Sequence, residues 1–455
     1  MKSTNDARVV LIAFALTLTC SSITNADDWP QWLGPQRDGV WREAGLIEKF
    51  PEGGPRVRWR TPIGGGYSGP AVAQGKVIIT DRILAADASN PDNPFNKKAR
   101  VDGSERVLCL DEATGKLLWK HEYDCTYQVS YAAGPRCSPA VSGDKVYTLG
   151  TMGDLLCLDL NTGKLLWSKN LPTEYKIDVP FWGFAGHPLV DGDRLICLVG
   201  GKGSVAVAFD KNTGKELWRA LSSKEPGYAP PTICEFGKQR QLIIWNPTAV
   251  NALDPESGKV YWSQPFPGKR PVKAGMTIAT PRCDGDRLFV TTFYDGPLMV
   301  RVKDEPGVIW RGKGRGEMPD DTDGLHCVSS TPYFKGDYIY GVDSYGELRC
   351  LKAETGERLW STDKATTGKS TRWGNAFIVA QGDRFVLFNE LGDLIIAKMS
   401  PQGYDELSRA NILVPTNTMA EPKGRRVIWS HPAFANRSVY ARNDKEIICV
   451  SMAQP

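Results

Sequence analysis

A segment of twelve residues that recurs along the chain constrains its fold more than any other feature. The clearest copy, Leu156–Trp167, reads LCLDLNTGKLLW. Four similar copies are Leu108–Trp119, Val207–Trp218, Asn251–Trp262 and Arg349–Trp360. A segment that returns in this way predicts an architecture of stacked, equivalent units, because one small unit cannot bury an apolar face alone.

Each copy predicts a β-hairpin that ends in tryptophan. In the clearest copy, Leu156–Leu158 is a short apolar strand and Lys164–Trp167 is the return strand. Asp159 starts the turn, because its carboxylate can accept hydrogen bonds from the backbone N–H groups just ahead of it. Gly163 suits the position of positive φ in a three- or four-residue loop that ends in a bulge. A single hairpin is not stable on its own, so neighbouring units must cover it.

A second repeated element precedes each hairpin and consists of a strand that begins with proline and ends in a tight turn. Its leading positions are Pro70, Pro139, Pro188, Pro231, Pro281, Pro332, Ala376 and Pro432. An apolar run follows each turn, as in Val146–Leu149. Each unit therefore has four strands, A to D: A starts at proline, B follows the turn, and C and D form the hairpin. Eight units of about 45 to 50 residues predict an all-β, eight-bladed β-propeller of four-stranded blades.

The last unit has no strand D of its own after Cys449–Ser451. Residues 56–63, RVRWRTPI, look like an unpaired strand D with Trp59 in the tryptophan position. We therefore expect this N-terminal strand to complete the last blade and close the ring, which removes the free sheet edges that invite aggregation. The propeller would then occupy residues 56–455.

The first 26 residues have the pattern of a secretory signal peptide. Lys2 and Arg8 precede the apolar run Val9–Leu18, and Thr24–Ala26 offers small residues for cleavage. The apolar run is too short to span a bilayer. We expect residues 1–26 to be removed and the protein to be exported, to the periplasm or the extracellular space, with no transmembrane segment.

Residues 27–55 form an N-terminal arm in which Trp29, Trp32 and Trp41 are spaced by proline and glycine. This pattern predicts an extended arm that is pinned to the domain by aromatic anchors. A tail that binds a partner is the alternative.

The cysteines suggest few disulfides, although export would permit them. Four of them occupy the same position of the repeat in different units and are expected to be small buried hydrophobes: Cys109, Cys157, Cys350 and Cys449. Cys125 and Cys137 share one connecting segment and are the pair that we consider for a disulfide. Cys20 follows residues that fit a lipoprotein signal poorly, so a lipid anchor is not expected.

The recurring Asp-x-x-Thr-Gly-x-x-x-Trp hairpin resembles the PQQ-like repeat of bacterial quinoprotein-type propellers, where PQQ is pyrroloquinoline quinone. The resemblance covers about residues 56–455. It implies that the tryptophan of each repeat is a structural wedge between neighbouring blades. These positions are Trp59, Trp119, Trp167, Trp218, Trp262, Trp310 and Trp360. The architecture is similar to that of the propeller lipoprotein of the outer-membrane barrel-assembly machinery, a scaffold that binds its partners through loops.

Propeller geometry places the short A–B and C–D turns on one face and the longer D–A and B–C loops on the other. Functional residues concentrate in irregular loops on a rigid scaffold, so we expect a binding site on the D–A face, at the mouth of the central channel. The candidate residues are Tyr67, Arg136, Trp182, His187, Tyr228, His326, Arg372, Trp373, Asn375, Trp429 and His431. The histidines either line this mouth or cap backbone groups where strands start. We expect no shared metal site, because they come from different blades and metal–nitrogen bonds are near 2 Å.

Two functions are consistent with these patterns. The first is an exported, non-catalytic, monomeric propeller that binds a protein, peptide or glycan at the D–A face, without a cofactor. The alternative is a quinoprotein-like, PQQ-dependent oxidoreductase that acts on alcohols or sugars. In the family, such enzymes hold PQQ against a ring of two adjacent cysteines and use calcium, whereas this sequence has no adjacent cysteines. The net charge of +4 is too close to neutral to indicate nucleic acid as a partner.

Overall fold

The computed structural model describes residues 27–267, 276–303, 306–314, 316–419 and 424–454, so the predicted signal peptide lies outside the described residues. Within them, strands pair into eight four-stranded antiparallel sheets and one two-stranded sheet. Seven of these four-stranded sheets join strands that follow one another along the chain, the eighth combines β1 with β32–β34, and the sheets succeed one another around a ring. The protein is therefore an eight-bladed β-propeller, as the repeats predict.

The strands of the first half follow in chain order. β1 (Val57–Pro62) precedes blade one, which contains β2 (Ala71–Ala73), β3 (Lys76–Leu84), β4 (Gly103–Asp111) and β5 (Leu117–Asp124). Blade two contains β6 (Ala140–Ser142), β7 (Lys145–Leu149), β8 (Asp154–Asp159) and β9 (Leu165–Asn170) and is followed by helix α1 (Leu171–Tyr175). Blade three contains β10 (Leu189–Asp191), β11 (Arg194–Leu198), β12 (Ala206–Asp210) and β13 (Glu216–Ala220). Blade four contains β14 (Thr232–Phe236), β15 (Gln239–Trp245), β16 (Ala249–Leu253) and β17 (Val260–Pro265).

The second half continues the same order. Blade five contains β18 (Arg282–Asp284), β19 (Arg287–Thr292), β20 (Gly296–Val302) and β21 (Pro306–Arg311), and a 3-10 turn follows at Pro319–Asp321. Blade six contains β22 (Tyr333–Lys335), β23 (Tyr338–Val342), β24 (Leu348–Lys352) and β25 (Arg358–Thr362). Blade seven contains β26 (Ala376–Gln381), β27 (Arg384–Asn389), β28 (Asp393–Ser400) and β29 (Gly403–Asn411). The small sheet β30 (Asn417–Thr418) and β31 (Arg426–Val427) leads to blade eight, with β32 (Ala433–Ala435), β33 (Ser438–Arg442) and β34 (Glu446–Ser451).

The ring closes through β1, as the sequence predicts. β1 pairs antiparallel with β34 and becomes the outer strand of blade eight, with Arg60 opposite Ile448 and Thr61 opposite Ile447. The N-terminal and C-terminal parts of the propeller thus share one sheet, in which β34 has a partner strand on both sides.

The core lies between the blades, and exposure increases from the inner to the outer strands. Val77 and Ile79 in β3 are fully buried, whereas Leu117 at the start of β5 is 53% exposed. In the described part of the chain, no helix has the length and apolar character needed to cross a membrane.

The repeat tryptophans dock on the hairpin turn of the next blade. Trp119 Nε1 donates a hydrogen bond of 2.9 Å to the carbonyl oxygen of Leu160. Its ring also covers Gly163, which has a φ of +70° and where an added Cβ would lie 2.5 Å from a ring carbon. Equivalent Trp–carbonyl bonds reach the next blade from Trp59, Trp167, Trp218, Trp310 and Trp360. Trp262 differs and bonds to Gln241 of its own blade, at 2.9 Å.

The N-terminal arm is pinned along the ring by its aromatic residues. Trp29 and Trp41 are only 2% and 1% exposed. Trp29 exchanges two backbone hydrogen bonds with Val72 of blade one, and the Trp41 N–H donates to the carbonyl oxygen of Ala380 in blade seven. Farther along, the N–H of Ile47 donates to Met452, beside blade eight. The arm therefore belongs to the packed body of the molecule.

The disulfide differs from the sequence prediction. Cys125 and Cys137 are free and buried, because they pack in separate apolar clusters. The disulfide instead joins Cys234 and Cys283, whose Cα atoms are 6.1 Å apart. These residues lie on strands A of blades four and five, and neighbouring strands A converge toward the ring axis, which brings the two side chains within reach. The four cysteines at the repeat position are buried and free.

Candidate functional site

A cavity of about 600 Å³ occupies the central channel among the D–A loops. All eight D–A connections contribute side chains to its lining, so the blades converge on one site. Nine of the eleven candidates from the sequence line it: Tyr67, Arg136, Trp182, His187, Tyr228, Arg372, Trp373, Trp429 and His431. Their proximity is a property of the structure, and their role in binding stays a prediction.

The structure places the other two candidates, His326 and Asn375, behind the lining. His326 is fully buried because its imidazole packs on Gly296, and its Nδ1 lies 3.0 Å from the carbonyl oxygen of Phe293. Asn375 is 3% exposed. Both residues stand near the start of a strand A, but their side chains are enclosed by the blades.

Sequence reasoning missed more than half of the lining. The additional residues are Trp32, Phe95, Tyr131, Phe181, Ala185, Pro230, Met276, Ile278, Phe293, Tyr294, Val328, Ser329 and Phe377. Trp32 comes from the arm, and Phe95 comes from the insert of blade one. The tryptophan-rich composition of the arm was the available signal for Trp32, although it did not indicate where the arm would lie.

Trp32 forms the floor of the cavity. Its ring stacks on the imidazole of His187, with centroids 3.9 Å apart and planes 10° apart, and meets His431 edge-on at 4.9 Å. Its Nε1 donates to Thr280 Oγ1 at 2.9 Å. These partners belong to blades three, eight and five, so Trp32 lies near the ring axis and closes the channel on the side away from the D–A loops.

The two lining histidines cap backbone groups, which was one of the two sequence interpretations. The Ser138 N–H donates to His187 Nδ1 at 2.8 Å, so the proton of the neutral imidazole is on Nε2. His431 Nδ1 lies 2.6 Å from the carbonyl oxygen of Pro432, which requires a proton on Nδ1. Burial, with the nearby charge of Arg37, lowers the pKa of His187 well below its usual range, and burial lowers the pKa of His431 to about 4. Both histidines are therefore neutral at pH 7.

Two aromatic side chains of the lining stand on backbone in the left-handed region. The φ angles of Tyr131 and Trp373 are 56° and 59°. This conformation is uncommon for any residue with a Cβ and costs on the order of 1–3 kcal/mol, and such strain clusters at functional sites. The Trp373 ring is further held by the Arg372 guanidinium, 4.4 Å from its centroid.

The two lining arginines are held differently. Arg136 donates from Nη1 to the carbonyl of Gly134 and to Thr151 Oγ1, and from Nη2 to the carbonyls of Ser130 and Tyr131. Arg372 instead forms an ion pair of 2.6 Å with Glu317. Arg136 therefore has no direct ion pair in these contacts, and the carboxylate of buried Glu105 lies on the other side of Thr151 and accepts the Thr151 N–H. The charge of Arg372, in contrast, is paired directly.

Two further arginines lie beneath the floor. Arg37 and Arg282 are 8% and 9% exposed. Arg37 donates to the carbonyls of Pro188 and Pro231, both at 3.2 Å, and Arg282 donates to the carbonyl of Arg37 itself. Burial lowers the pKa of Arg37 to about 9, which still leaves it charged at neutral pH. No aspartate or glutamate is among the lining residues that the structure describes, and Glu317 and Glu390 contact lining residues from behind.

Comparison with known protein families shows the family of this chain. Residues 103–240 and 246–455 match the family described as outer membrane protein assembly factor BamB, and together they cover more than half of the sequence. The chain belongs to this family. No curated protein matches the sequence of this BamB-family chain.

Solved structures resemble the BamB-family chain in fold. BamB from Moraxella catarrhalis has a TM-score of 0.52 at 14% identity, over 86% of this chain and 98% of its own. A computationally designed protein, Ika8, has a TM-score of 0.51 at 12% identity, over 85% of this chain and 97% of its own. A europium-containing methanol dehydrogenase has a TM-score of 0.46 at 12% identity, over 93% of this chain and 89% of its own.

The lining does not fit the calcium that accompanies PQQ in quinoprotein dehydrogenases. Calcium takes six to eight oxygen ligands, usually with several carboxylates. The described lining offers the hydroxyl groups of Ser329 and the tyrosines but no carboxylate and no cysteine. Across the described residues, no cluster of three or more His, Cys, Asp or Glu side chains could hold a metal ion.

Proposed function

We propose that this BamB-family protein is a non-catalytic binding scaffold that takes a segment of a protein or peptide partner into the channel mouth. The observation that carries the proposal is the cavity itself: it is floored by Trp32, lies among the D–A loops and is lined by twelve aromatic rings. Aromatic side chains supply a large apolar contact area at a low cost in conformational entropy, and they are enriched where proteins bind partners.

A peptide suits this lining better than a glycan, because a glycan needs many polar partners. Several polar groups of the lining are already engaged within the protein. The Tyr67 hydroxyl accepts from Asn417, and Trp429 Nε1 lies 3.4 Å from Glu390. The arm also provides an internal precedent, since Trp32 is an aromatic side chain of an extended segment that enters the same channel.

The chemistry of the lining favours binding over catalysis. His187 and His431 use Nδ1 in backbone contacts, and their lowered pKa values disfavour the protonated form that an acid catalyst needs. Quinone chemistry is not proposed, since the lining lacks carboxylates for calcium. The family description also names an assembly factor. We therefore propose an exported, monomeric protein without a cofactor.

The proposal is tested by selecting peptides from a random phage-displayed library on the purified protein. Ser329 lines the cavity, so Ser329→Trp should fill it and abolish binding of the selected peptides. Ser361 lies exposed on outer strand β25, so Ser361→Trp is the matched control and should bind normally. Peptides that bind all three proteins equally would place binding elsewhere and contradict the proposal. Reduction of a dye with alcohols after addition of PQQ and calcium would contradict the non-catalytic part.

A further inference from the structure

We infer that the segment bound in the cavity carries a carboxylate next to an aromatic side chain. This inference rests on the proposed function and adds the chemistry of the partner. It combines three features of the site: an arginine without a direct ion pair on one wall, buried arginines beneath the floor, and a continuous row of aromatic rings beside them.

The first step concerns Arg136. Its four hydrogen bonds involve both terminal nitrogens, and the acceptors are three carbonyl oxygens and the Thr151 hydroxyl. No carboxylate of the described residues forms an ion pair with it. Nε–H is therefore the donor that remains. The side chain is partly exposed and lines the cavity, so a bound anion can reach it.

The second step concerns the floor. Arg37 and Arg282 are more than nine-tenths buried and bond mainly to backbone carbonyls. Their charge is poorly screened because water is excluded from around them. The cavity lies on the other side of Trp32 and His187, and His187 senses the charge of Arg37. The buried arginines therefore favour an anion over a cation in the cavity.

The third step concerns the aromatic wall. Tyr131, whose carbonyl accepts from Arg136, lies in a row of rings. Its centroid is 5.1 Å from Phe95 and 6.2 Å from Trp429, and Phe95 is 6.1 Å from Trp373. A ligand ring that packs on this row has Arg136 as its neighbour. The opposite arginine, Arg372, is balanced by Glu317, so the carboxylate of the ligand is expected on the Arg136 side.

These steps define a compact recognition element: an aromatic residue followed or preceded by aspartate or glutamate. The probe is the peptide acetyl-Gly-Trp-Asp-Gly-amide, measured by isothermal titration calorimetry on the full chain. Three matched peptides replace Asp by Asn, Asp by Lys, or Trp by Leu. We expect the Trp-Asp peptide to bind about tenfold more tightly than the Trp-Asn and Trp-Lys peptides, because only it places an anion beside Arg136. The Leu-Asp peptide should also bind about tenfold more weakly, because it loses ring stacking.

Two variants locate the charge effect. Arg136→Gln should bind the Trp-Asp and Trp-Asn peptides with about the same affinity, a ratio of about one. Arg219 lies on outer strand β13 with a side chain that is 57% exposed, so Arg219→Gln should keep the preference. If Arg136→Gln does not fold, the wild-type protein still gives a test: raising the salt concentration should weaken the Trp-Asp peptide and leave the Trp-Asn peptide unchanged.

The outcomes separate this inference from the proposed function. Equal binding of the Asp, Asn and Lys peptides would overturn the inference, and so would preference for Lys. Failure of all four peptides while library-selected peptides still bind would also overturn it, and the proposed function would stand. If library-selected peptides fail to depend on the cavity as well, the proposed function fails with it.

Discussion

Gly163 and Gly143 have similar backbones in different surroundings. Both have positive φ, +70° and +60°, but Gly163 is covered by the Trp119 ring and Gly143 faces open space. An alanine in the left-handed region costs about 1–2 kcal/mol, and overpacking adds about 1–3 kcal/mol. We expect Gly163→Ala to lower the free energy of unfolding by about 2–5 kcal/mol and Gly143→Ala by about 1–2 kcal/mol, as measured by urea denaturation. Equal losses would mean that the Trp–Gly contact contributes nothing beyond backbone strain.

His431 makes the fold sensitive to acid. Burial lowers its folded-state pKa from 6.5 to about 4. The unfolded chain therefore takes up a proton at this histidine at a higher pH than the folded protein does. The contribution of His431 to the free energy of unfolding is lost as the pH falls from 6.5 to 4, and below pH 4 this contribution changes no further. A shift of this size corresponds to about 3 kcal/mol.

The measurement compares the pH dependence of thermal unfolding in the wild type and in His431→Gln. The variant cannot titrate at this position, so its loss of stability between pH 6.5 and pH 4 should be smaller. Parallel pH profiles for the two proteins would show that His431 is not responsible. His187, whose pKa is also lowered, contributes to the remaining slope in both proteins.

Substitution of Trp373 is expected to weaken peptide binding without a large effect on the free energy of unfolding. Because its φ is 59°, glycine at this position relieves backbone strain of about 1 kcal/mol while it removes a wall of the cavity. We expect Trp373→Gly to change the free energy of unfolding by less than about 2 kcal/mol and to weaken peptide binding at least tenfold. Trp119, a repeat tryptophan that is 9% exposed, provides the contrast. Trp119→Ala should cost about 3–5 kcal/mol and leave binding intact in the folded fraction.

At the scale of elements, the hairpins and the proline-led strands follow from the sequence because each is a local pattern repeated many times. The closing strand β1 is predictable for a different reason, since counting the units left one strand D missing in blade eight. The disulfide was not predictable by the same means. Cys234 and Cys283 are 49 residues apart, and their contact depends on how strands A of two blades converge.

The Cys234–Cys283 disulfide should stabilise the junction between blades four and five. Closing a loop of this length typically contributes about 2–4 kcal/mol. We expect Cys234→Ser combined with Cys283→Ser to lower the free energy of unfolding by that amount, while Cys125→Ser, at a buried free cysteine, leaves the disulfide intact. Peptide mapping by mass spectrometry without reductant checks the pairing directly. A linked peptide that contains Cys125 and Cys137 would contradict the structure.

At the scale of the whole molecule, the propeller topology predicts where the site lies, but it predicts less well which residues line the site. Arg136, Trp182 and Trp429 could be assigned to the mouth because every D–A connection must lead there. Trp32 and Phe95 could not, since their positions depend on how the arm and an insert fold back across the ring. Such contacts join residues far apart in sequence and leave no periodic pattern.

Trp32 couples the arm to the ring, and this coupling can be measured through the histidines. Its ring covers His187 and His431, and burial is the main cause of their low pKa values. In Trp32→Ala, water reaches both imidazoles, so their pKa values should rise toward the usual value, as followed by NMR titration of the imidazole C–H resonances. Trp41 is the control, because it is also buried, at 1% exposed against 8% for Trp32, but bonds to Glu43, outside the lining.

Both variants should lose about 3–5 kcal/mol of stability, since each removes a buried tryptophan. Only Trp32→Ala should change the histidine titration, and it should therefore also reduce the loss of stability between pH 6.5 and pH 4. If Trp41→Ala raised the pKa values equally, the arm would act on the histidines by holding the whole ring together. If neither variant raised them, the blades alone would bury the two imidazoles, and Trp32 would be a passive filler of the channel.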